Sequence, residues 1–259
     1  MPLAPLPDED VEFALARRRW CTPVVAELTL EVIEQRIDFD AGQYVLLQDT
    51  GRAVSMQSYS VANAPREDGT LTFLVTAVPG GPTSTWLTKG AQPGDRVLVS
   101  GPYGSFVADP AHHGPTLYLV GGSGLAPAKA LVEAAVARGE TAHPDAGSRH
   151  TLLFSGRTPE HLIDHETFTA LAAQQPGFDY VRTLTRVDGS DVEPPRGRIP
   201  EVLPSLLPDL SEHAVYIAGA PGLVDASTKA AQQLGARAGR VHTEEFYAQP
   251  TPWSSGSGT

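Results

Sequence analysis

The stretch from Thr116 to Pro127, TLYLVGGSGLAP, has the residue types and spacing to hold a phosphate. Leu117, Leu119 and Val120 form a short apolar run that reads as a buried strand. Gly121, Gly122 and Gly124 interrupt it. Leu125, Leu131, Val132, Ala135 and Val136 then recur at helical spacing, with Pro127 near the start, where a missing N–H costs nothing. A strand, a glycine turn and a helix start leave bare backbone N–H groups that can cradle an anion. The same turn also serves simply to pack a helix against a strand, and by itself it does not decide between the two uses. Other reactive side chains are less well placed. His161 and His165 stand at i and i+4, but Leu162 follows His161 where an H-E-x-x-H zinc site needs its glutamate. Both read as exposed helix residues, and no metal is expected.

The elements that must carry such a turn follow from the rest of the chain. Its 259 residues suffice for one large or two small domains, and 25 glycines with 23 prolines point to many turns. Before residue 108 the apolar runs are short: Val24–Ile33, Tyr44–Leu47, Ser58–Ala62, Leu71–Ala77 and Arg96–Val99, with turn residues between. Short strands at about ten-residue spacing predict an antiparallel barrel. Ser84–Lys89 adds one short helix. From Leu117 the rhythm becomes strand and helix in alternation: strands at Leu117–Val120, Thr151–Ser155, Tyr180–Thr185 and Ala214–Ala218, and helices at 126–138, Pro159–Ala173, Ile199–Leu206 and Pro221–Leu234. That alternation predicts a parallel sheet with helices on both faces, and ligands at the carboxyl ends of its strands. The change falls near residues 108–115, so the expected domains are 1–110 and 111–249, with a disordered tail at 250–259.

Charge and cysteine usage narrow the partners. The formal net charge of −11 argues against nucleic acid or an anionic membrane as a bulk partner. The basic run Arg17-Arg18-Arg19 before Trp20 reads as a solvated strand edge, with docking of an acidic protein as the alternative. One cysteine, Cys21, excludes an intrachain disulfide and an iron–sulfur cluster ligated by this chain's cysteines alone. No basic and apolar leader precedes the first strands, and a cytoplasmic monomer is expected.

Six segments, in order, resemble the motifs of the ferredoxin/flavodoxin–NADP(+) reductase superfamily. Gln57-Ser58-Tyr59-Ser60, followed by Val61-Ala62-Asn63, resembles its R-x-Y-S flavin motif. Pro79-Gly80-Gly81-Pro82-Thr83-Ser84 resembles its second flavin motif. Gly94-Asp95 with Gly101-Pro102-Tyr103-Gly104-Ser105-Phe106 is similar to the segment that closes the barrel. Gly121-Gly122-Ser123-Gly124-Leu125-Ala126-Pro127 is similar to the nucleotide motif G-T-G-x-x-P. Tyr216-Ile217-Ala218-Gly219-Ala220-Pro221 resembles Y-x-C-G-x-P, and His242–Tyr247 resembles the C-terminal stretch near the flavin. Length, Thr185-Arg186 and Gly197-Arg198-Ile199-Pro200 favour the compact bacterial reductases, with the reductase components of oxygenases as neighbours.

The resemblance implies a six-stranded antiparallel Greek-key flavin-binding barrel, then a five-stranded parallel α/β nucleotide-binding domain. It implies FAD held by Gln57, Tyr59, Ser60, Val61, Asn63, Gly80, Gly81, Pro82, Thr83 and Ser84, with Phe246 or Tyr247 over the other flavin face. It implies a pyridine nucleotide met by Gly122, Ser123, Gly124, Gly219 and Pro221. Arg157 and Arg186 would grip a 2′-phosphate, which favours NADPH over NADH, since guanidinium matches phosphate oxygens in a fork. Ser60, Glu244 and Ala218 are the expected catalytic positions, and a small ferredoxin or flavodoxin is the expected electron acceptor. An NADH-dependent oxygenase reductase, or a binding module that has lost turnover, are the alternatives. Two departures stand out: Gln57 replaces the family's arginine and brings no charge, and Ala218 replaces its cysteine. Arg52 and Arg66 are candidate substitute cations.

Overall fold

The computed structural model describes residues 10–143, 148–186 and 195–247. The tail expected to be disordered lies outside them. Two sheets account for the fold. The first has six antiparallel strands: β1 (Val11–Trp20), β2 (Val25–Val32), β3 (Tyr44–Asp49), β4 (Gln57–Ser60), β5 (Leu71–Thr76) and β6 (Arg96–Tyr103), in the order β4-β3-β6-β1-β2-β5. The two ends of this order meet. Val61, just past β4, bridges to Phe73 of β5, and the Ala62 N–H donates to Thr72 O at 2.7 Å. Closure removes the sheet edges and buries Phe13, Leu15, Leu28, Leu30, Val45, Leu47, Phe73 and Val99 in one core. A helical segment follows β5: α1 (Pro82–Thr85), which widens into a π turn at Trp86–Gly90.

β1 was not anticipated, because its alternation is broken. Phe13 and Leu15 point inward, but a bulge between Leu15 and Arg17 shifts the register, so the pattern does not continue into Arg17–Trp20. β1 lies between β6 and β2, but β6 pairs only with Val11–Ala14, so the arginine run is hydrogen-bonded to β2 alone and its other side is a strand edge, with Arg17 and Arg19 exposed. Arg17 and Arg19 reach the buried Glu27 on β2, while Arg18 donates to Ala91 O at 2.5 Å.

The second sheet is parallel: β7 (Thr116–Gly121), β8 (His150–Gly156), β9 (Phe178–Leu184), β10 (Ala214–Gly219) and β11 (Val241–Glu245), in the order β11-β10-β7-β8-β9. Its helices are α2 (Leu125–Ala137), α3 (His165–Gln174), α4 (Ile199–Leu206) and α5 (Pro221–Gln233). Val120, Leu152, Phe154 and Ala218 pack against α2 and α3 on one face; Leu117, Leu119, Leu153 and Ile217 pack with α4 and α5 on the other. Strands covered on both faces are apolar throughout, which is why they read as runs. The helix expected over Pro159–Ala173 is interrupted. A 3₁₀ turn at Pro159–His161 ends before Asp164, which has φ 51°, and α3 begins at His165. His161 and His165 are half-buried rather than exposed: His161 bonds Thr158 at 2.7 Å, and His165 packs on Tyr180.

The chain leaves β7 toward β8 and β9, then returns to β10 on the other side. The strand order therefore reverses between β7 and β10, and the crevice belongs at their carboxyl ends, Gly121 and Gly219. The barrel's outer residues Val25, Ala62 and Leu74 share a core with Leu125, Ala128 and Leu131 of α2, so the barrel is packed beside that crevice.

Candidate active site

Two glycine turns face the boundary between the sheets. The first starts α1. The Val78 N–H donates to Ser84 Oγ at 3.2 Å, Ser84 Oγ donates to Gly81 O at 3.2 Å, and Thr83 Oγ1 donates to Ser55 O at 2.5 Å. Both hydroxyls, expected to face a phosphate, are thus spent on fastening the turn. The helix start itself is left for an anion: Gly81 provides no side-chain cap, and no acid lies in the first turn. Gly80 has φ +76° and is exposed, and a Cβ there would meet no atom within 4 Å, so a ligand can approach its backbone.

The second turn joins β7 to α2. Gly122 has φ +59° and open space beside it. Gly124 is buried, and a Cβ on it would lie 2.5 Å from Ala218 O. The helix starts without a side-chain cap and without an acid in its first turn. Ser123 accepts a hydrogen bond at 2.8 Å from Thr76 Oγ1, at the end of β5, so this second turn is tied directly to the barrel. Thr76 carried no signal in the sequence. Both turns fit phosphate-bearing groups: each presents backbone N–H at an uncapped helix start beside a glycine with unobstructed approach.

Between the turns, Ser60 and Glu244 meet. Ser60 ends β4 and is buried; Glu244 lies on β11, where it pairs with Ala218 of β10. The Ser60 hydroxyl donates to a Glu244 carboxylate oxygen. Burial pushes the Glu244 carboxyl above its ordinary value, and the Ser60 bond only partly offsets this. Ala218 is fully buried and has no polar side-chain atom; it is a small neighbour of Glu244 rather than a reacting group. Gly219, with φ +153°, accepts the Phe246 N–H at 2.8 Å, and Pro221 opens α5.

Several expected contacts take other roles. Asn63 is fully buried: its amide donates to Thr70 O at 3.0 Å and Ala64 O at 2.7 Å and accepts the Thr72 N–H at 2.6 Å, so it fixes the chain after β4 instead of facing a ligand. The Val61 side chain lies in the barrel core. Tyr59 is half-buried against the same core, and burial pushes its hydroxyl far up. Phe246 packs on the α2 side of the parallel sheet, which leaves Tyr247, 68% exposed, as the free aromatic of the pair. Gln57 is exposed at the start of β4. Neither substitute cation is free: Arg52 pairs with Asp10 at 3.2 Å, and Arg66 with Glu133 at 3.6 Å.

At the far side of the nucleotide turn, Arg157 and Arg186 follow β8 and β9. The Arg186 N–H donates to Arg157 O at 2.8 Å, which brings two exposed guanidiniums to neighbouring strand ends. Arg196 joins them through its bridge to Leu184. Beneath the site, Lys129 of α2 bonds Asp164 at 2.6 Å and lies 3.6 Å from Glu27, and Arg19 reaches both carboxylates. A lone lysine in the apolar helix LAPAKALVEAAVA was the signal for this cluster.

Comparison with known proteins gives the family. The oxidoreductase FAD-binding domain family matches residues 22–107, and the oxidoreductase NAD-binding domain family matches residues 119–229. The chain is 36% identical over 222 residues to the reductase subunit of an aromatic O-demethylase from an Amycolatopsis strain, covering 83% of this chain and 63% of that one. A crystal structure of an Amycolatopsis cytochrome P450 reductase superposes with a TM-score of 0.82 at 30% identity, over 93% of this chain and 71% of that one. A ferredoxin NADP+ reductase from Neisseria gonorrhoeae shares the fold, with a TM-score of 0.77 at 23% identity over 93% and 100% of the two chains. The chain spans 60–67% of the length of eight curated relatives. Among the described residues, no helix is long and apolar enough to cross a membrane. By motif order, by two-sheet topology and by these matches, the chain belongs to the ferredoxin reductase-like superfamily of FAD- and NAD-binding oxidoreductases.

Proposed function

We propose that this chain is an FAD-dependent NAD(P)H oxidoreductase that releases electrons singly to a small redox protein of the ferredoxin or flavodoxin type. The observation that carries this reading is the Ser60–Glu244 hydrogen bond, which joins the end of a barrel strand to the end of a nucleotide-domain strand between two uncapped glycine turns. When bound, a flavin and a pyridine nucleotide supply hydride transfer and single-electron release. The protein supplies position and exclusion of water. Gly80 and Gly81 hold the flavin phosphates, and Gly122, Ser123 and Gly124 hold those of the nucleotide. Glu244 orients the Ser60 hydroxyl, and burial raises its proton affinity above the ordinary carboxylate value. Tyr247 would cover the outer flavin face. Arg157 and Arg186 grip a 2′-phosphate, which favours NADPH.

A second reading differs in coenzyme and acceptor. Relatives named as the reductase component of terephthalate 1,2-dioxygenase and the electron transfer component of toluate 1,2-dioxygenase support a reductase of an oxygenase system, and this reading takes NADH as the coenzyme. One experiment orders these readings. The purified protein, supplied with FAD, is mixed anaerobically with NADPH or NADH while flavin absorbance is followed. Faster bleaching by NADPH supports the first reading, and faster bleaching by NADH supports the second. Nucleotide binding without bleaching by either would sink both and leave a binding module without turnover.

A further inference from the structure

A shallow groove of about 490 Å3 runs along one face of the helical segment that follows the flavin turn. It begins at Gly80, Gly81 and Pro82, passes Thr85 and Trp86, and ends at Lys89 and Gly90. Pro82, Thr85, Trp86 and Lys89 all line the groove and so share one side of this segment. Trp86 is half-buried: part of its indole packs against the barrel core and the rest lines the groove. Gly90 keeps the ring accessible, since a Cβ there would sit 3.2 Å from Trp86 Cδ1. Lys89 is exposed and forms no ion pair among the described residues.

These features meet a deficit identified above. Gln57 brings no charge to the flavin phosphates, and Arg52 and Arg66 are committed to Asp10 and Glu133. We propose that Trp86 and Lys89 hold the adenosine-phosphate half of FAD: the indole stacks on the adenine, and the Lys89 ammonium replaces the charge absent at Gln57. This rests on the FAD-dependent reading and adds to it a reason for FAD over FMN, which lacks the adenosine half. An aromatic face and a cation are the two groups that an adenine nucleotide needs from a solvent-open groove.

The test is equilibrium binding. Apoprotein is titrated with FAD and, separately, with FMN, and quenching of flavin fluorescence is read. Lys89→Ala alters an exposed side chain and leaves the fold intact; it is expected to weaken FAD about tenfold, more at low salt, while FMN changes about twofold or less. Trp86→Leu is expected to give a similar selective loss, and Lys89→Arg to restore FAD binding. Lys229→Ala, a change at an exposed lysine on α5 paired with Asp225, is the control for bulk charge. An FAD-to-FMN affinity ratio unchanged in Lys89→Ala overturns the proposal, even where Trp86→Leu does not fold, and leaves the FAD reading standing. Failure of the unaltered protein to bind either flavin overturns both.

Discussion

The hydroxyl of Ser60 and the carboxylate of Glu244 share a hydrogen bond across 184 residues of sequence. Ser60 is 4% exposed at the end of a barrel strand, and Glu244 is the penultimate residue of β11, beside Ala218. An acidic group in this position faces two opposed effects. Burial disfavours its charge, while the Ser60 donor stabilises it, and burial prevails.

Glu244 should therefore set a pH dependence with a definite sign. A carboxyl whose folded pKa is raised makes the folded state bind more protons than the unfolded state, so stability falls as pH rises from the ordinary glutamate value through the folded one. Glu244→Gln keeps an acceptor for Ser60 but removes the buried charge. Urea midpoints of the two proteins should converge in acid, with the variant ahead at pH 8. Equal midpoints at both pH values would contradict the assignment. Ser60→Ala should lower stability at pH 8 by about 1–3 kcal/mol, because it leaves the carboxylate unpartnered.

Lys129 should matter more to stability than any surface charge. It is 14% exposed, between Glu27 at 6% and Asp164 at 7%, and thereby ties the barrel to two segments of the nucleotide domain. Burial pulls the Lys129 ammonium down, but Asp164 and Glu27 outweigh it and hold it above its usual value. Burial likewise raises Asp164, but Lys129 and Arg19 outweigh it and hold the carboxyl low. Lys129→Met leaves two buried carboxylates with Arg17 and Arg19 only, and should cost about 3 kcal/mol in urea unfolding. The Asp164 contribution is present above the unfolded value of about 3.9 and is lost as pH falls through the folded one, so Asp164→Asn should flatten the acid limb of the stability curve.

The parallel sheet was legible because strands buried on both faces read as apolar runs, and α4 was bounded correctly at Ile199–Leu206. The barrel was less so. A bulge hid β1, and β6 runs on through Gly101-Pro102-Tyr103, residues that look like a turn. The site divides along similar lines. Glycines at the two turns announce themselves because few other residues take φ values of +59° or +76°. Hydroxyls and amides do not: Asn63, Thr83 and Ser84 have side chains suited to a ligand, yet each is consumed by nearby backbone groups. Only the folded chain reveals which donors remain free.

Coenzyme choice should respond to Arg186. Its exposed guanidinium lies beside Arg157, and the two are fastened by the bond from the Arg186 N–H to Arg157 O. A 2′-phosphate gripped by a fork of this kind gains charge-assisted hydrogen bonds that a 2′-hydroxyl does not. Arg186→Ala should raise the KM for NADPH by about 10-fold or more and that for NADH by less than about 3-fold. Equal changes for the two coenzymes would remove Arg186 from the 2′-phosphate site.

Two glycines at helix starts should respond to alanine with opposite signs. At Gly124 a Cβ would stand 2.5 Å from Ala218 O and 2.6 Å from Gly219 N, both backbone atoms of β10. No rotamer relieves such contacts. Gly124→Ala must push the start of α2 away from the strand, at a cost of about 1–3 kcal/mol, and in doing so must widen the turn proposed to meet the nucleotide. At Gly222, in the first turn of α5, a Cβ meets no atom within 4 Å, and φ lies outside the left-handed region. Alanine there removes backbone freedom from the unfolded chain and should add about 0.4–1 kcal/mol. Urea unfolding checks both changes, and calorimetry with NADP+ separates them further: Gly124→Ala should weaken binding beyond its effect on stability, because the displaced backbone belongs to the cradle itself. A Gly124→Ala protein as stable and as avid as the unaltered chain would mean that α2 and β10 do not approach as closely as these contacts require.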